Sequence, residues 1–392
     1  MNLQPRVRDR SRNHDIVLWG ATGFTGQLVA EYLAQHLADG DLRLALGGRN
    51  EDKLRALRSA LTRHHPAAAD LPIVLADSHD REALGAIAAE AEVVCTTVGP
   101  YARYGHDLVA ACVTGGTDYC DLTGEVHFIR AVIDRHHEQA RATGARIVHC
   151  CGFDSIPSDL GTLMLHHAMS ERHGARLSAV KLVVGPTRGG FSGGTVASLL
   201  GVLEEARTDR SVRRIVGHPY GLNPDGEQEG PDGSDQNGPR FDRELGRWTG
   251  PFVMAAINTR VVRRSNALLG WPYGRDFRYS EVTGFRPGVR GRLAATLAAG
   301  GLGAFVIAAS LAPTRALMRR TILPSPGEGP DREARERGFF KLRLHATGTA
   351  DDGATVRLVG RVEGDNDPGY GETAKMLGES ALCLALDGGT LD

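Results

Sequence analysis

Asp15-Ile16-Val17-Leu18-Trp19-Gly20-Ala21-Thr22-Gly23-Phe24-Thr25-Gly26 joins an apolar run to a turn with three glycines spaced three apart. The next residues, Gln27-Leu28-Val29-Ala30-Glu31-Tyr32-Leu33, carry the apolar spacing of a helix that faces a core. Strand, glycine turn and helix in that order are what the pyrophosphate of a dinucleotide requires. Gly20 makes the tight turn, Gly23 removes a Cβ from between backbone and phosphate oxygens, and Gly26 lets the helix lie close to the strand. Ala21, Thr22, Phe24 and Thr25 complete the turn and the helix start, where free N–H groups and the positive dipole end favour phosphate.

The residues after the second strand select the cofactor. A second apolar run, Leu42 to Leu46, begins about 20 residues further on, at the ribose-reading position of this arrangement. An NAD site would follow it with Asp or Glu for the ribose 2′-hydroxyl. Here Gly47-Gly48-Arg49-Asn50 follows. No carboxylate is present to repel a 2′-phosphate, and a guanidinium stands where it could bind one. Lys53 lies one helical turn beyond and adds charge. The expected cofactor is therefore NADP(H); the competing reading of Arg49 is a solvated residue opening a surface helix.

From Asp15 to about Cys150 strand and helix alternate, which predicts a Rossmann-type, doubly wound parallel sheet of the α/β class. We read strands at 15–20, 42–47, 72–76, 92–97 and 146–150, and helices near 24–38, 51–64, 80–89, 104–115 and 125–143. Asp77 ends the third strand, as an adenine contact or as a helix N-cap. Thr97, Val98 and Gly99 end the fourth, at the crevice where open α/β sheets bind ligands. Beyond Cys151 the rhythm changes to a second, α+β domain over 151–365. It carries β-like runs at 176–185, 342–350 and 353–363, a helix at 192–208 and a polar, turn-rich stretch at 222–240 expected to be a mobile loop. A Pro/Gly-rich connector spans 323–330. Residues 1–14 read as a flexible N-terminus, and a helix within 366–392 as a return to the first domain.

The chain has 392 residues and a net charge of −1, so bulk electrostatics favour neither nucleic acid nor anionic membranes. Four of its basic residues are lysine; the rest are arginine. The six cysteines form no CxxC or Cys/His ligand spacing, so no metal site is expected, and a reduced, cytoplasmic protein is the simplest account. Leu293 to Ala312 holds no charged residue over about one bilayer-crossing length. A membrane span is one reading. A buried or interfacial helix, at the inner face of the plasma membrane in the interfacial case, is the other. A homodimer is left open.

Several blocks resemble the saccharopine dehydrogenase-like oxidoreductases, and within them the mycobacterial trans-acting enoyl reductases. They are GATGFTG at 20–26, VGPYARYG at 98–105, GTDYCDLTGE at 116–125 and CGFDSIPSDLG at 151–161. GGT at 193–195 and the tail GYGETAKMLGESALCLA at 369–385 are similar as well. The resemblance implies a Rossmann domain, a second α+β domain and a returning C-terminal helix. It also implies reduction of a carbon–carbon double bond in a polyketide or acyl chain on a carrier, for envelope lipids including phenolic glycolipids. Other members act on saccharopine, so membership fixes the fold better than the substrate.

Reducing an enoyl thioester needs an enolate-like oxygen stabilised and a proton for the α-carbon. Candidates fall in three loops: Tyr101 and Tyr104; Tyr119, Asp121, Thr123 and Glu125; Asp154, Ser155 and Ser158. Each has a structural alternative. The tyrosines could pack at a loop–helix junction, Asp121 and Glu125 could be an acid–base pair or serve a helix start, and Ser155 or Ser158 could cap the helix that follows. Phe153 could stack near the cofactor or fill core. Saccharopine chemistry would instead need cations such as Arg188, Arg207 or Arg260. A third alternative is a nucleotide-binding scaffold that senses the NADP ratio at a lipid surface without turnover.

Overall fold

The computed structural model describes residues 11–40, 42–189, 193–311, 313–315, 318 and 329–388. The expectations for residues 1–10, most of the 323–330 connector and the last four residues lie outside these.

The first domain alternates as read. Its elements are β1 (His14–Trp19), α1 (Phe24–Ala34), β2 (Leu44–Gly48), α2 (Glu51–Thr62), β3 (Ile73–Leu75), α3 (Arg81–Glu90) and β4 (Ala91–Thr96). There follow α4 (Tyr101–Tyr104), α5 (His106–Gly115), β5 (Asp118–Cys120), α6 (Val126–Thr143) and β6 (Ile147–Val148). The strands pair in parallel in the order β3-β2-β1-β4-β5-β6. The sequence reading missed β5, because its three residues are too few to show a period. Two buried carboxylates tie strand starts together: Asp15 takes the Arg43 guanidinium at 2.7 Å, and Asp118 takes Arg146.

The second domain contains α7 (Ile156–His173), β7 (Ala175–Arg188), α8 (Gly193–Thr208), α9 (Arg210–Gly217), β8 (Arg240–Asp242), β9 (Arg247–Gly250) and α10 (Ala255–Leu268). After these come β10 (Arg278–Gly284), α11 (Gly288–Ser310), α12 (Arg332–Glu336), β11 (Phe339–Ala350), β12 (Thr355–Gly364) and α13 (Gly371–Leu386). Its mixed sheet runs β12-β11-β7-β10-β9-β8. One face is apolar and covered: Leu182, Leu344 and Tyr279 pack against Leu165 and Met169 of α7 and Val262 of α10.

A parallel sheet must be covered on both faces. Here α3, α5 and α6 cover one face through Leu84, Val109 and Phe128. On the other face α1 and α2 cover part of the sheet, α2 through Leu54 and Leu61, and α13 returns to bury the rest. Leu377, Ala381 and Ala385 pack in the same core as Val93, Cys95 and Cys120. Arg146 also donates to the Leu384 carbonyl at 3.2 Å, which ties the far end of α13 to the sheet.

The polar stretch at 222–240 departs from the expectation of a loosely held loop. Asp232 pairs with Arg263 at 2.8 Å and Asp235 with Arg260, both arginines being buried on α10. Asn223 is buried too, and its side chain donates to the Glu227 carbonyl. Charged composition mimicked disorder because the arginine partners lie far along the chain.

Candidate active site

The glycine turn has the shape the sequence demands. Gly20 sits at φ +85°, and a Cβ there would stand 2.5 Å from Val98 Cγ2 and 2.9 Å from Thr97 Oγ1. At Gly26 a Cβ would stand 2.2 Å from the Gly20 carbonyl oxygen, so only glycine lets α1 start against the turn. Thr97 Oγ1 donates to that carbonyl at 3.1 Å and joins the end of β4 to the turn. Ala21 is buried, its N–H donating to the Gly47 carbonyl. The first turn of α1, from Phe24, leaves N–H groups without intrahelical acceptors, and Gly23 at its N-cap has no side chain in front of them. Thr22 and Thr25 are half-buried on the same turn. Phe24 packs edge-on against Tyr370 at 4.7 Å, so the segment leading into α13 borders the glycine turn.

Arg49 directly follows β2 and is exposed, with no ion pair among the described residues. Asn50 caps α2 by accepting from the Lys53 N–H at 2.9 Å, and Lys53 is exposed in the first turn of that helix. Asp77 is exposed and accepts the His79 N–H at 3.0 Å. The cap of α3 is Asp80, not Asp77.

The catalytic candidates are not brought together as expected. Tyr101 is buried, and its hydroxyl donates to the Thr96 carbonyl and accepts from the Leu122 N–H, both at 3.2 Å. Burial, then the charge of Asp121, pushes it well above the usual tyrosine range. A hydroxyl so held ties the end of β4 to the loop after β5. Tyr104 turns the other way, against His79 at 5.7 Å, towards the end of β3. Asp121 is also fully engaged. One oxygen accepts from Tyr119 at 2.9 Å and from His149 Nδ1 at 2.7 Å; the other accepts from the N–H groups of Thr123 and Cys150. Glu125 forms no pair with it. Although Glu125 opens α6, its carboxylate accepts the N–H groups of Tyr101 and Ala102 and so caps α4, and it takes the Ser198 hydroxyl from α8 at 2.7 Å. Tyr101 and Asp121 thus belong to a hydrogen-bonded network at the sheet edge.

Ser155 departs in the same way. Its hydroxyl donates to Asn258 at 3.1 Å rather than capping α7. Asn258 in turn donates to Ser158 and to Glu281, and Glu281 takes the Tyr279 hydroxyl at 2.7 Å. Burial pushes Glu281 up to about 7 against those hydrogen bonds. This network fixes the first turn of α7. Asn258 and Glu281 escaped the sequence reading because each stands alone in a segment with no motif. Phe153 packs on Phe340 at 4.8 Å, and its N–H donates to Thr373 of α13.

Asp154 stands where these parts meet. A Cβ on Gly152 would lie 2.9 Å from Leu122 Cδ2, 3.0 Å from Asp154 Oδ2 and 3.1 Å from Thr373 Cγ2. The carboxyl thus sits between the end of β5, the loop into α7 and the start of α13. Burial pushes it up to about 7, opposed by its own backbone N–H and reinforced by Asp121. Burial likewise pushes Asp159, in the first turn of α7, up to about 6, opposed by the Ser265 hydroxyl.

Residues 16–148 match the family profile of the saccharopine dehydrogenase NADP-binding domain, and the glycine turn and free Arg49 fit that cofactor. A provisionally named trans-acting enoyl reductase of Mycobacterium tuberculosis is 48% identical over 385 residues, covering 96% of this chain and 90% of the relative. The chain belongs to the trans-acting enoyl reductase family. A second member, the trans-acting enoyl reductase of Mycobacterium ulcerans, is 43% identical over 387 residues with the same coverage. Among solved structures, apo saccharopine dehydrogenase of Saccharomyces cerevisiae is similar at 14% identity and a TM-score of 0.47, over 95% of this chain and 91% of that one. The chain is an NADP-dependent oxidoreductase by this membership and its cofactor domain.

Proposed function

We propose that this protein reduces the carbon–carbon double bond of an enoyl thioester borne on a polyketide-synthase carrier domain, during assembly of a lipid chain. The observation that carries the reading is the 48% identity, which extends over both domains and not the cofactor domain alone. NADPH, when bound, supplies the hydride. Gly20 to Gly26 hold its pyrophosphate, Arg49 and Lys53 its 2′-phosphate, Asp77 borders the adenine, and Thr97 to Gly99 border the nicotinamide half. Asp154 holds the proton for the α-carbon. Tyr101, Asp121, Glu125 and Ser155 position the loops around it, and Phe153 closes the crevice towards α13. Of the three arginines named for saccharopine chemistry, Arg260 is paired with Asp235 and Arg207 donates to the Ser310 carbonyl, while Arg188 is exposed at the end of β7. NADPH consumption with an enoyl thioester, and none with 2-aminoadipate semialdehyde plus glutamate, is the expected result; the reverse overturns the reading.

The proposed setting is the inner face of the plasma membrane, with α11 lying on the lipid. Beyond Arg290 and Arg292 in its first turns the helix carries no charge, and its two sides differ. Gly291, Ala295 and Ala309 are buried, where α11 packs on β9 and α8. Val289, Leu293, Leu297 and Ile307, exposed by 84%, 59%, 66% and 66%, fall on the opposite side at about 100° per residue. A helix attached along one side and bare along the other suits the plane of an interface better than a span. No carboxylate lies between Glu281 and Glu328, whereas six arginines do, which favours anionic lipid. Flotation with anionic vesicles, lost in Leu293→Glu/Leu297→Glu, is the expected result; equal flotation of both proteins contradicts it.

A further inference from the structure

The sheet of the second domain has two unlike faces. The even-numbered residues of β11 and β12 face α7 and are apolar. Their odd-numbered neighbours include Lys341, Arg343, Arg357 and Arg361, all exposed. The register places Arg343 directly opposite Arg361, and His345 beside Lys181 of β7. Like charges directly opposite each other across a sheet cost stability. Arg343 and Arg361 have no ion pair among the described residues to offset this. Two cations of this face have acidic neighbours: Lys181 pairs with Asp242, and Lys341 stands opposite the exposed Glu363. The groups around His345 are Arg247, Arg343, Lys181 and Asp242; burial first, then the three cations, lowers its pKa.

We infer that this basic sheet face is the docking surface for an acidic, phosphopantetheine-bearing carrier domain. The inference rests on the proposed function, because a carrier-borne substrate must be brought by a second protein. Charge complementarity favours an acidic occupant. A second copy of this chain is disfavoured, since a two-fold contact would set the Arg343–Arg361 row against itself. Continuity with the site supports the same occupant. At the end of the face opens a cleft of about 590 Å³, lined by Phe339, by Lys341 and Lys375, and by the carboxylates of Glu363, Asp365 and Glu372. The next residue, Thr373, accepts the Phe153 N–H and touches the Asp154 corner. Arg343, Arg357 and Arg361 therefore meet the acidic carrier surface, and the cleft, whose wall carries both signs of charge, opens beside the start of α13, which borders the Asp154 corner.

The test compares the full chain with Arg343→Glu/Arg361→Glu, using a phosphopantetheinylated polyketide-synthase carrier domain as the probe in biolayer interferometry. Reduction of the same enoyl group on N-acetylcysteamine is measured in parallel. The expected result is carrier binding that weakens with salt and falls about tenfold or more in the variant, with the small thioester reduced at a rate within about twofold of the parent. Carrier binding that follows the two arginines while neither protein reduces a thioester supports the docking surface and removes the reductase reading. Unchanged carrier binding in the variant overturns the inference. So does an equal fall for both thioesters, which marks a damaged sheet. Retention of heparin or anionic vesicles by this face with no binding of the carrier also overturns it.

Discussion

Arg49→Ala separates cofactor choice from fold. Arg49 is exposed and makes no ion pair among the described residues, so its removal breaks nothing internal. The expected stability change is within about 0.5 kcal/mol, as for an ordinary surface site. A hydrogen bond to a charged group is worth about 1.5–3 kcal/mol, and an exposed, screened site belongs at the lower end. A loss of about 1.5–2 kcal/mol is a rise of about 10–30-fold in the NADPH dissociation constant. The NADH constant should not move, since NADH has no 2′-phosphate. Titration of the nucleotide's fluorescence with both coenzymes, at low and high salt, reads this directly. The discrimination should shrink in salt for the parent and hardly change for the variant. Equal weakening of NADPH and NADH, or no change in either, refutes the assignment of Arg49 to the 2′-phosphate.

Gly26→Ala gains helix propensity but drives a Cβ to 2.2 Å from the Gly20 carbonyl, which is backbone and cannot step aside. A net loss of about 1–3 kcal/mol is expected in urea unfolding, with weaker NADPH binding. Glu125→Ala leaves two N–H groups of α4 and the Ser198 hydroxyl without their acceptor; a loss of about 1–3 kcal/mol should appear in the same assay. Asp154 keeps its proton longer in the fold, near 7, than in the unfolded chain, where the ordinary value is 3.8. Unfolding between those values releases a proton, so this group makes stability fall as pH rises from 3.8 towards about 7, then level off. Asp154→Asn should flatten that slope, lower kcat by about 10²-fold or more, and remove the fall in rate as pH rises through neutrality.

The parts of the molecule that were legible in the sequence are those held together locally. The glycine turn, Arg49 after β2 and the alternation through α6 depend on neighbours a few residues away, so period and motif revealed them. β5 was hidden because its three residues are stabilised by Asp118 reaching Arg146 and by the strands on either side. The roles of Tyr101, Asp121 and Glu125 were hidden for a different reason. Residue type suggested acid–base chemistry, but Leu122 on Tyr101, His149 and Cys150 on Asp121, and Ser198 on Glu125 come from other segments, and only the fold supplies them. Asp154 could be named as a candidate but not preferred, because what distinguishes it is burial against Leu122 and Thr373, the latter more than 200 positions away.

The most direct test of the central claim is a single turnover with excess protein, NADPH and an enoyl thioester, following nucleotide absorbance and product mass together. The account predicts one NADPH oxidised for each thioester saturated, with the deuteride of 4-deuterated NADPH found on the β-carbon. Tight NADPH binding with no oxidation, or oxidation with the double bond intact, would contradict it.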